Sequence, residues 1–125
     1  GEENSGIEGL TYDSSNGHFW LVNEKNPGLL IELNNEFEIL NKTKIDFAKD
    51  FSSIFYDPIK DQLWILSDES NKLFKCTKSA EVLEKFEIKI PQPEGIAINF
   101  ERNLLYVVSD NSEKLYIYTL KLKDD

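Results

Sequence analysis

Five acidic residues stand at two kinds of corner along this chain. Glu8 and Glu94 each precede a glycine and an apolar run, while Glu24, Asp68 and Asp110 each close one. Gathered in one place, five carboxylates would repel one another unless a cation sat among them. A hard divalent ion, calcium above all, takes about 6 to 8 oxygen ligands and would accept help from Asn23, Ser52 or Asn111. No EF-hand loop fixes the spacing of these acids, so a purely structural reading stands beside the metal. In that reading Glu-Gly opens a strand where backbones approach closely, and acidic corners face water.

A metal at such a place can also polarise an ester or phosphate oxygen, provided a base lies near. The one histidine, His18, aligns with Gln62 and Leu104 in the repeat described next, which suits a strand residue better than a base. No nucleophile elbow accompanies it, so a Ser-His-Asp triad has no support. The single cysteine, Cys76, aligns with Ile117 and reads as a buried thiol. Lys42, Lys44 and Lys49, and again Lys114, Lys121 and Lys123, are interleaved with acids, as on a solvated face. Neither a phosphate-cradling glycine loop nor a dinucleotide fingerprint is present.

The elements that must position these residues come from an internal repeat. Glu8-Gly9-Leu10-Thr11-Tyr12-Asp13 aligns with Ser52-Ser53-Ile54-Phe55-Tyr56-Asp57 and with Glu94-Gly95-Ile96-Ala97-Ile98-Asn99, at offsets of 44 and then 42 residues. At the same offsets Trp20 meets Trp64 and Tyr106, Leu30 meets Phe74 and Tyr116, and Asn23-Glu24 meets Ser67-Asp68 and Ser109-Asp110. Each unit holds short apolar runs of strand type: 8 to 13, 18 to 22, 29 to 33 and about 36 to 41 in the first copy. Turns Ser14-Ser15-Asn16-Gly17, Pro58-Ile59-Lys60-Asp61 and Phe100-Glu101-Arg102-Asn103 make the first two strands of each copy antiparallel neighbours. Val82 to Phe86 supplies a fourth strand in copy two, and copy three stops after its third.

Four antiparallel strands repeated about every 40 to 45 residues describe the blade of a β-propeller. The expected fold is all-β: three four-stranded antiparallel blades at roughly 6–49, 50–91 and 92–123, forming one propeller portion over 1–125. Trp20, Trp64 and Tyr106 should fill the space between adjacent blades. The loop entering the innermost strand and the loop joining the second and third strands open on one face of a propeller, which gathers the five acids around a channel mouth. Closed propellers usually have 4 to 8 blades, so three require completion. Remaining blades of a longer polypeptide, a second copy of the chain closing six blades by two-fold symmetry, or an open fragment are the choices.

Composition sets outer bounds. The chain has 125 residues, 40% of them hydrophobic and 12% aromatic, as a single packed domain requires. Its formal net charge of -9 disfavours nucleic acid and anionic membranes as partners. One cysteine cannot form an internal disulfide. The longest apolar run, from Leu104 to Val108, is too short to span a bilayer. Without a leader pattern the chain reads as either cytosolic or trimmed of its signal, and Gly1 in first place suggests trimming.

Gly6-Ile7-Glu8-Gly9-Leu10-Thr11-Tyr12, His18-Phe19-Trp20 with Asn23-Glu24-Lys25-Asn26-Pro27, Leu66-Ser67-Asp68-Glu69-Ser70, Glu94-Gly95-Ile96-Ala97 and Val108-Ser109-Asp110 occur in that order. In order and spacing they resemble the C-terminal half of the SdiA-regulated family, bacterial β-propellers related to those with NHL-type repeats. The resemblance implies half of a six-bladed ring and a periplasmic or membrane-anchored location. Ser52-Ser53 departs from the Glu-Gly of the other copies, which weakens any chemistry that needs an acid in every blade. The expected role is a non-catalytic extracytoplasmic binding or interaction module with a calcium site at Glu8, Glu24, Asp68, Glu94 and Asp110. A calcium-dependent hydrolase of small esters or phosphates is the alternative.

Overall fold

Alternating apolar residues bounded by turn chemistry leave the backbone one economical solution, the antiparallel meander, and the chain adopts it three times. The computed structural model describes residues 6–23, 27–90, 93–109 and 113–122. The first sheet runs β1 (Ile7–Asp13), β2 (His18–Asn23), β3 (Leu29–Leu33), β4 (Ile39–Lys44), with spatial order equal to chain order. The second repeats it with β5 (Ser53–Asp57), β6 (Gln62–Ser67), β7 (Lys72–Cys76) and β8 (Val82–Glu87). Among the described residues the third has β9 (Pro93–Asn99), β10 (Leu104–Ser109) and β11 (Lys114–Thr119). These are the blades of a propeller portion, with the third blade lacking a fourth strand among the described residues. Among those residues no helix is long and apolar enough to cross a membrane.

The hairpin turns keep one geometry. Gly17, Asp61 and Asn103 occupy the same repeat position and all have positive φ, 80°, 57° and 57°. Glycine takes this region freely, and Asp and Asn tolerate it better than other residues. Each first strand ends in a residue that ties its hairpin together. The Trp20 indole Nε1 donates to Asp13 Oδ2 at 3.0 Å, and Trp64 Nε1 donates to Asp57 Oδ2 at 3.2 Å. The other oxygen of each carboxylate takes turn amides, from Ser15 in one copy and from Ile59 and Lys60 in the other.

Two apolar clusters glue the three sheets. Trp20, Val22 and Leu30 of the first meet Ile54, Tyr56, Leu63, Ile65, Phe74 and Cys76 of the second. Trp64, Leu66 and Leu73 of the second meet Leu105 and Val107 of the third. The tryptophans therefore lie between blades, as the repeat predicts. The strand register corrects the alignment of the third strands by one residue. Val22 pairs with Leu30, Leu66 with Leu73 and Val108 with Leu115, so Leu30 corresponds to Leu73 and Leu115 instead of Phe74 and Tyr116. By the same register Cys76, paired with Leu63, corresponds to Tyr118, paired with Leu105, and not to Ile117. The polar loop before β3 is one residue longer than its counterparts, which a constant offset cannot accommodate, whereas Tyr118 already stands at the 42-residue offset from Cys76 and Ile117 one place short of it. The fourth strand of the first blade also starts later than its apolar pattern suggests. Phe37 sits at φ 66° in a turn that Asn34 holds by accepting the amides of Glu36 and Glu38, so pairing begins only at Ile39.

Candidate functional site

The glycine after Glu8 explains where the glutamate goes. A Cβ on Gly9 would meet the backbone at Ser53 and Ile54 at 3.0 Å, so glycine lets β1 and β5 approach this closely without pushing either strand aside. The β1–β2 ladder shifts between Ile7 and Gly9, which leaves Glu8 as the residue without a cross-strand partner in that register. A bulge of this kind re-aims the side chain at a sheet edge. The β9–β10 ladder shifts at the equivalent place, between the pairs Gly95–Val108 and Pro93–Ser109, and Glu94 is the residue passed over. In the second blade Ser52 stands there, and its amide and hydroxyl both donate to the Leu66 carbonyl, at 2.8 Å and 3.2 Å.

Asp68 rides on a braced loop. Buried Asp50, 5% exposed, accepts hydrogen bonds from Ser67 Oγ at 2.6 Å and from the Glu69 amide at 3.0 Å. The Ser70 amide donates to Ser67 Oγ, and Ser70 Oγ in turn accepts from the Lys49 amide. Sequence reasoning missed Asp50, because at the repeat offsets it aligns with Gly6 and Gln92 and carries no periodic signal.

Glu8 and Asp68, both exposed, line one pocket of about 200 Å³ together with Ser52, Ser53, Leu66, Pro93, Gly95 and Ile96. All three blades contribute to it, as a channel mouth demands. Of the five acids expected here, Glu24 and Asp110 lie outside the described residues, as does the side chain of Glu94. Among the described residues no group of three or more His, Cys, Asp or Glu side chains is arranged to hold a metal ion. What the described part of the pocket offers is two carboxylates and two serine hydroxyls, a set of hard oxygen donors.

The other chemistry-bearing residues sit elsewhere. His18 pairs with Asp13 at the far end of the first hairpin, roughly 17 Å from Glu8 at about 3.3 Å per strand residue. Its Nδ1 lies 2.8 Å from Glu32 Oε2, and Asn41 Nδ2 donates to the other Glu32 oxygen at 2.9 Å. Cys76 is fully buried, and burial pushes its thiol up to about 12. The folded chain should therefore resist iodoacetamide at pH 8, alkylating at least about a hundredfold more slowly than the urea-unfolded chain. Stoichiometric labelling of folded protein within minutes, followed by mass spectrometry, would contradict this burial.

At the same far end, Lys78 of the second blade reaches into the first. Its Nζ lies 2.7 Å from Asp13 Oδ2 and 2.6 Å from Asp61 Oδ1, and 5.3 Å from the centre of the Tyr56 ring. Burial works to raise the pKa of Asp13, but Lys78, Ser15 and Trp20 outweigh it and hold the carboxyl well below the usual carboxylate range. Asp61 is held low by Lys78 and by the Tyr56 hydroxyl, which donates to it at 2.6 Å. This cluster fastens two blades and lies a strand's length from the acidic pocket.

A family model described as SdiA-regulated matches residues 1–118. The chain belongs to the SdiA-regulated family. In fold, this SdiA-regulated chain is similar to solved structures of low sequence identity, propeller-like ones among them. One is a nidogen/laminin complex, at TM-score 0.65 and 15% identity, covering 89% of this chain and 42% of that one. Another is a protein of unknown function from Bacteroides caccae, at TM-score 0.62 and 12% identity, covering 90% and 46%. A third is a catalytically inactive virginiamycin B lyase from Staphylococcus aureus with quinupristin, at TM-score 0.60 and 16% identity, covering 98% and 44%. The SdiA-regulated chain thus spans less than half the length of these structures.

Proposed function

We propose that this chain is part of a non-catalytic extracytoplasmic binding module whose channel mouth takes a divalent cation, calcium, through Glu8 and Asp68 with Glu24, Glu94 and Asp110. The observation that carries this reading is the convergence of Glu8 and Asp68, from adjacent blades, on one pocket beside the Ser52 and Ser53 hydroxyls. The shift that passes over Glu94 in the β9 ladder, as over Glu8 in β1, adds a further acid at the equivalent backbone position. A periplasmic or membrane-anchored location follows the family resemblance and belongs to the same proposal. Binding is favoured over hydrolysis by the placement of His18 at the opposite end of its blade, paired with Glu32, whereas the described pocket lining carries no histidine.

Rigid loops around a shallow acidic mouth suit a dissociation constant of about 10⁻⁴ to 10⁻³ M, the range of extracellular calcium modules. Titration calorimetry of the chain with calcium chloride should show saturable heat in that range. The Glu8→Gln, Asp68→Asn pair should weaken binding by about tenfold or more, since each change removes a charged ligand. Absence of heat at millimolar calcium, or binding unaltered in the double variant, would overturn the assignment.

A further inference from the structure

The second sheet packs against a blade on each side, and β8 is its last strand. A groove of about 630 Å³ lies against that strand and shares no lining residue with the channel mouth. Its apolar walls are Phe47, Phe74, Leu83 and Phe86. Phe47 comes from the segment that links β4 to β5, and its ring packs on that of Phe74 with centres 4.7 Å apart. Leu83 is the residue passed over where the β7–β8 ladder shifts, between the pairs Lys75–Glu84 and Cys76–Val82, and it is 39% exposed.

Two lysines line the same groove. Lys85 stands directly across the ladder from Phe74, and Lys121 follows the end of β11 in the third blade. Among the described residues neither has an ion-pair partner. The acid in the lining, Glu84, is already neutralised by Lys75, whose Nζ lies 2.9 Å from Glu84 Oε1, with both side chains buried. The groove therefore sets two positive charges beside aromatic walls, on a chain whose net charge is -9.

We propose that this groove binds a small organic anion, an aromatic carboxylate, with its ring against the phenylalanine walls and its carboxylate at Lys85 and Lys121. The volume falls within the roughly 300–1,000 Å³ of small-molecule sites, which pair an apolar lining with a few placed polar groups. Both halves of the ligand are required by the lining. An inorganic anion would leave the rings wet, and a neutral apolar body would leave the two ammonium groups without a partner. A peptide strand pairing with β8 suits the groove less well, because the bulge at Leu83 and the lysine at 85 interrupt the edge it would need. Guarding that edge would by itself explain Lys85, but it has no use for Lys121, which comes from another blade.

The inference does not depend on the metal reading, and its test is run in EDTA. The probe is 4-phenylbutyrate, titrated into the nitrogen-15-labelled chain and followed by amide chemical shifts. Saturable shifts should centre on Phe47, Leu83, Lys85 and Lys121, with a dissociation constant of about 1 mM, as befits so small a ligand. The uncharged 4-phenylbutanol should bind about fivefold more weakly or worse, since it gives up the charge-assisted contacts. Lys85→Ala with Lys121→Ala should weaken the acid by a similar factor while keeping the circular dichroism of the parent, because both side chains are exposed. Lys85→Arg with Lys121→Arg should bind it to within about twofold of the parent, because the charge remains. Shifts that centre instead on Leu10, Tyr12, Val108 or Leu115, or no saturable shift at about 10 mM probe, overturn the proposal. So does an alcohol that binds as tightly as the acid, or a double alanine variant that binds like the parent. Amides of β8 that broaden with protein concentration in the absence of probe would make a second copy the occupant, and overturn it too.

Discussion

Replacing Trp64 with alanine should cost about 3–5 kcal/mol, the range for an aromatic deleted from a packed core. Trp64 is 1% exposed, stacks on Phe86 with ring centres 5.7 Å apart and lies 6.3 Å from Phe100. It joins the front of the second blade to the third, so the loss falls on an interface and on a hairpin at once. The carboxylate of Asp57, 3% exposed, would also lose the indole donor at 3.2 Å, while the Ile59 and Lys60 amides still donate to its other oxygen. A domain stable by about 5–15 kcal/mol loses a large share of its reserve. Thermal unfolding followed by circular dichroism should fall by about 10–20 °C for Trp64→Ala. Trp64→Phe keeps most of the apolar area and gives up the hydrogen bond, so its decrease should be about a third as large. A Trp64→Ala midpoint within about 2 °C of the parent would mean that the two blades are not joined through this residue.

The fold was legible because the repeat has a physical cause. Each blade needs the same hairpin turn, the same apolar alternation and the same large aromatic on its second strand, so Gly17, Asp61 and Asn103, or Trp20, Trp64 and Tyr106, fall at constant offsets. Where a loop changes length the offset breaks, and a fixed spacing misplaces every residue beyond it. That is why Leu73, which pairs with Leu66, was aligned one place away from Leu30. Phe37 misled for another reason: its apolar side chain suggests a strand, but its turn is fixed by the polar side chain of Asn34.

The candidate site was legible only in part. Glu-Gly signalled a close strand approach, and the structure supplies both the approach at Gly9 and the shift in register that passes over Glu8. Its meeting with Asp68 needs the geometry of two blades together, which no single repeat contains. Asp50 and Lys78 were invisible to the repeat because no acid stands at the offsets of Asp50, which fall on Gly6 and Gln92, and no base at those of Lys78, which fall on Asn34 and Leu120. Asp13 was aligned with Asp57 and Asn99, yet its task of binding an indole, a turn and a lysine emerges only when the three are seen converging.

The Asp13–Lys78–Asp61 cluster gives the junction a dependence on pH whose direction is set by its members. Asp13 and Asp61 have folded-state pKa values below the ordinary 3.8, so both contribute stability that is complete above that value and drains as acid protonates the folded carboxyls. Lys78 behaves in mirror image: burial works to lower its pKa, the two carboxylates outweigh it, and its value stands above 10.5. Its contribution is present below pH 10.5 and drains above it. Lys78→Met removes the cation from a carboxylate that has no exposed surface, while Ser15 and Trp20 remain as its donors. At pH 7 the variant should be less stable by about 2–3 kcal/mol, below the full cost of breaking a buried pair because Lys78 itself keeps 24% of its surface in water. The difference between parent and variant should narrow as pH falls below about 4, because protonated Asp13 no longer needs a cation. Urea unfolding of both proteins at pH 7, 5, 4 and 3 reads this directly. A gap that stays constant across that series would show that Lys78 contributes packing alone, and one that widens in acid would reverse the sign derived from the geometry.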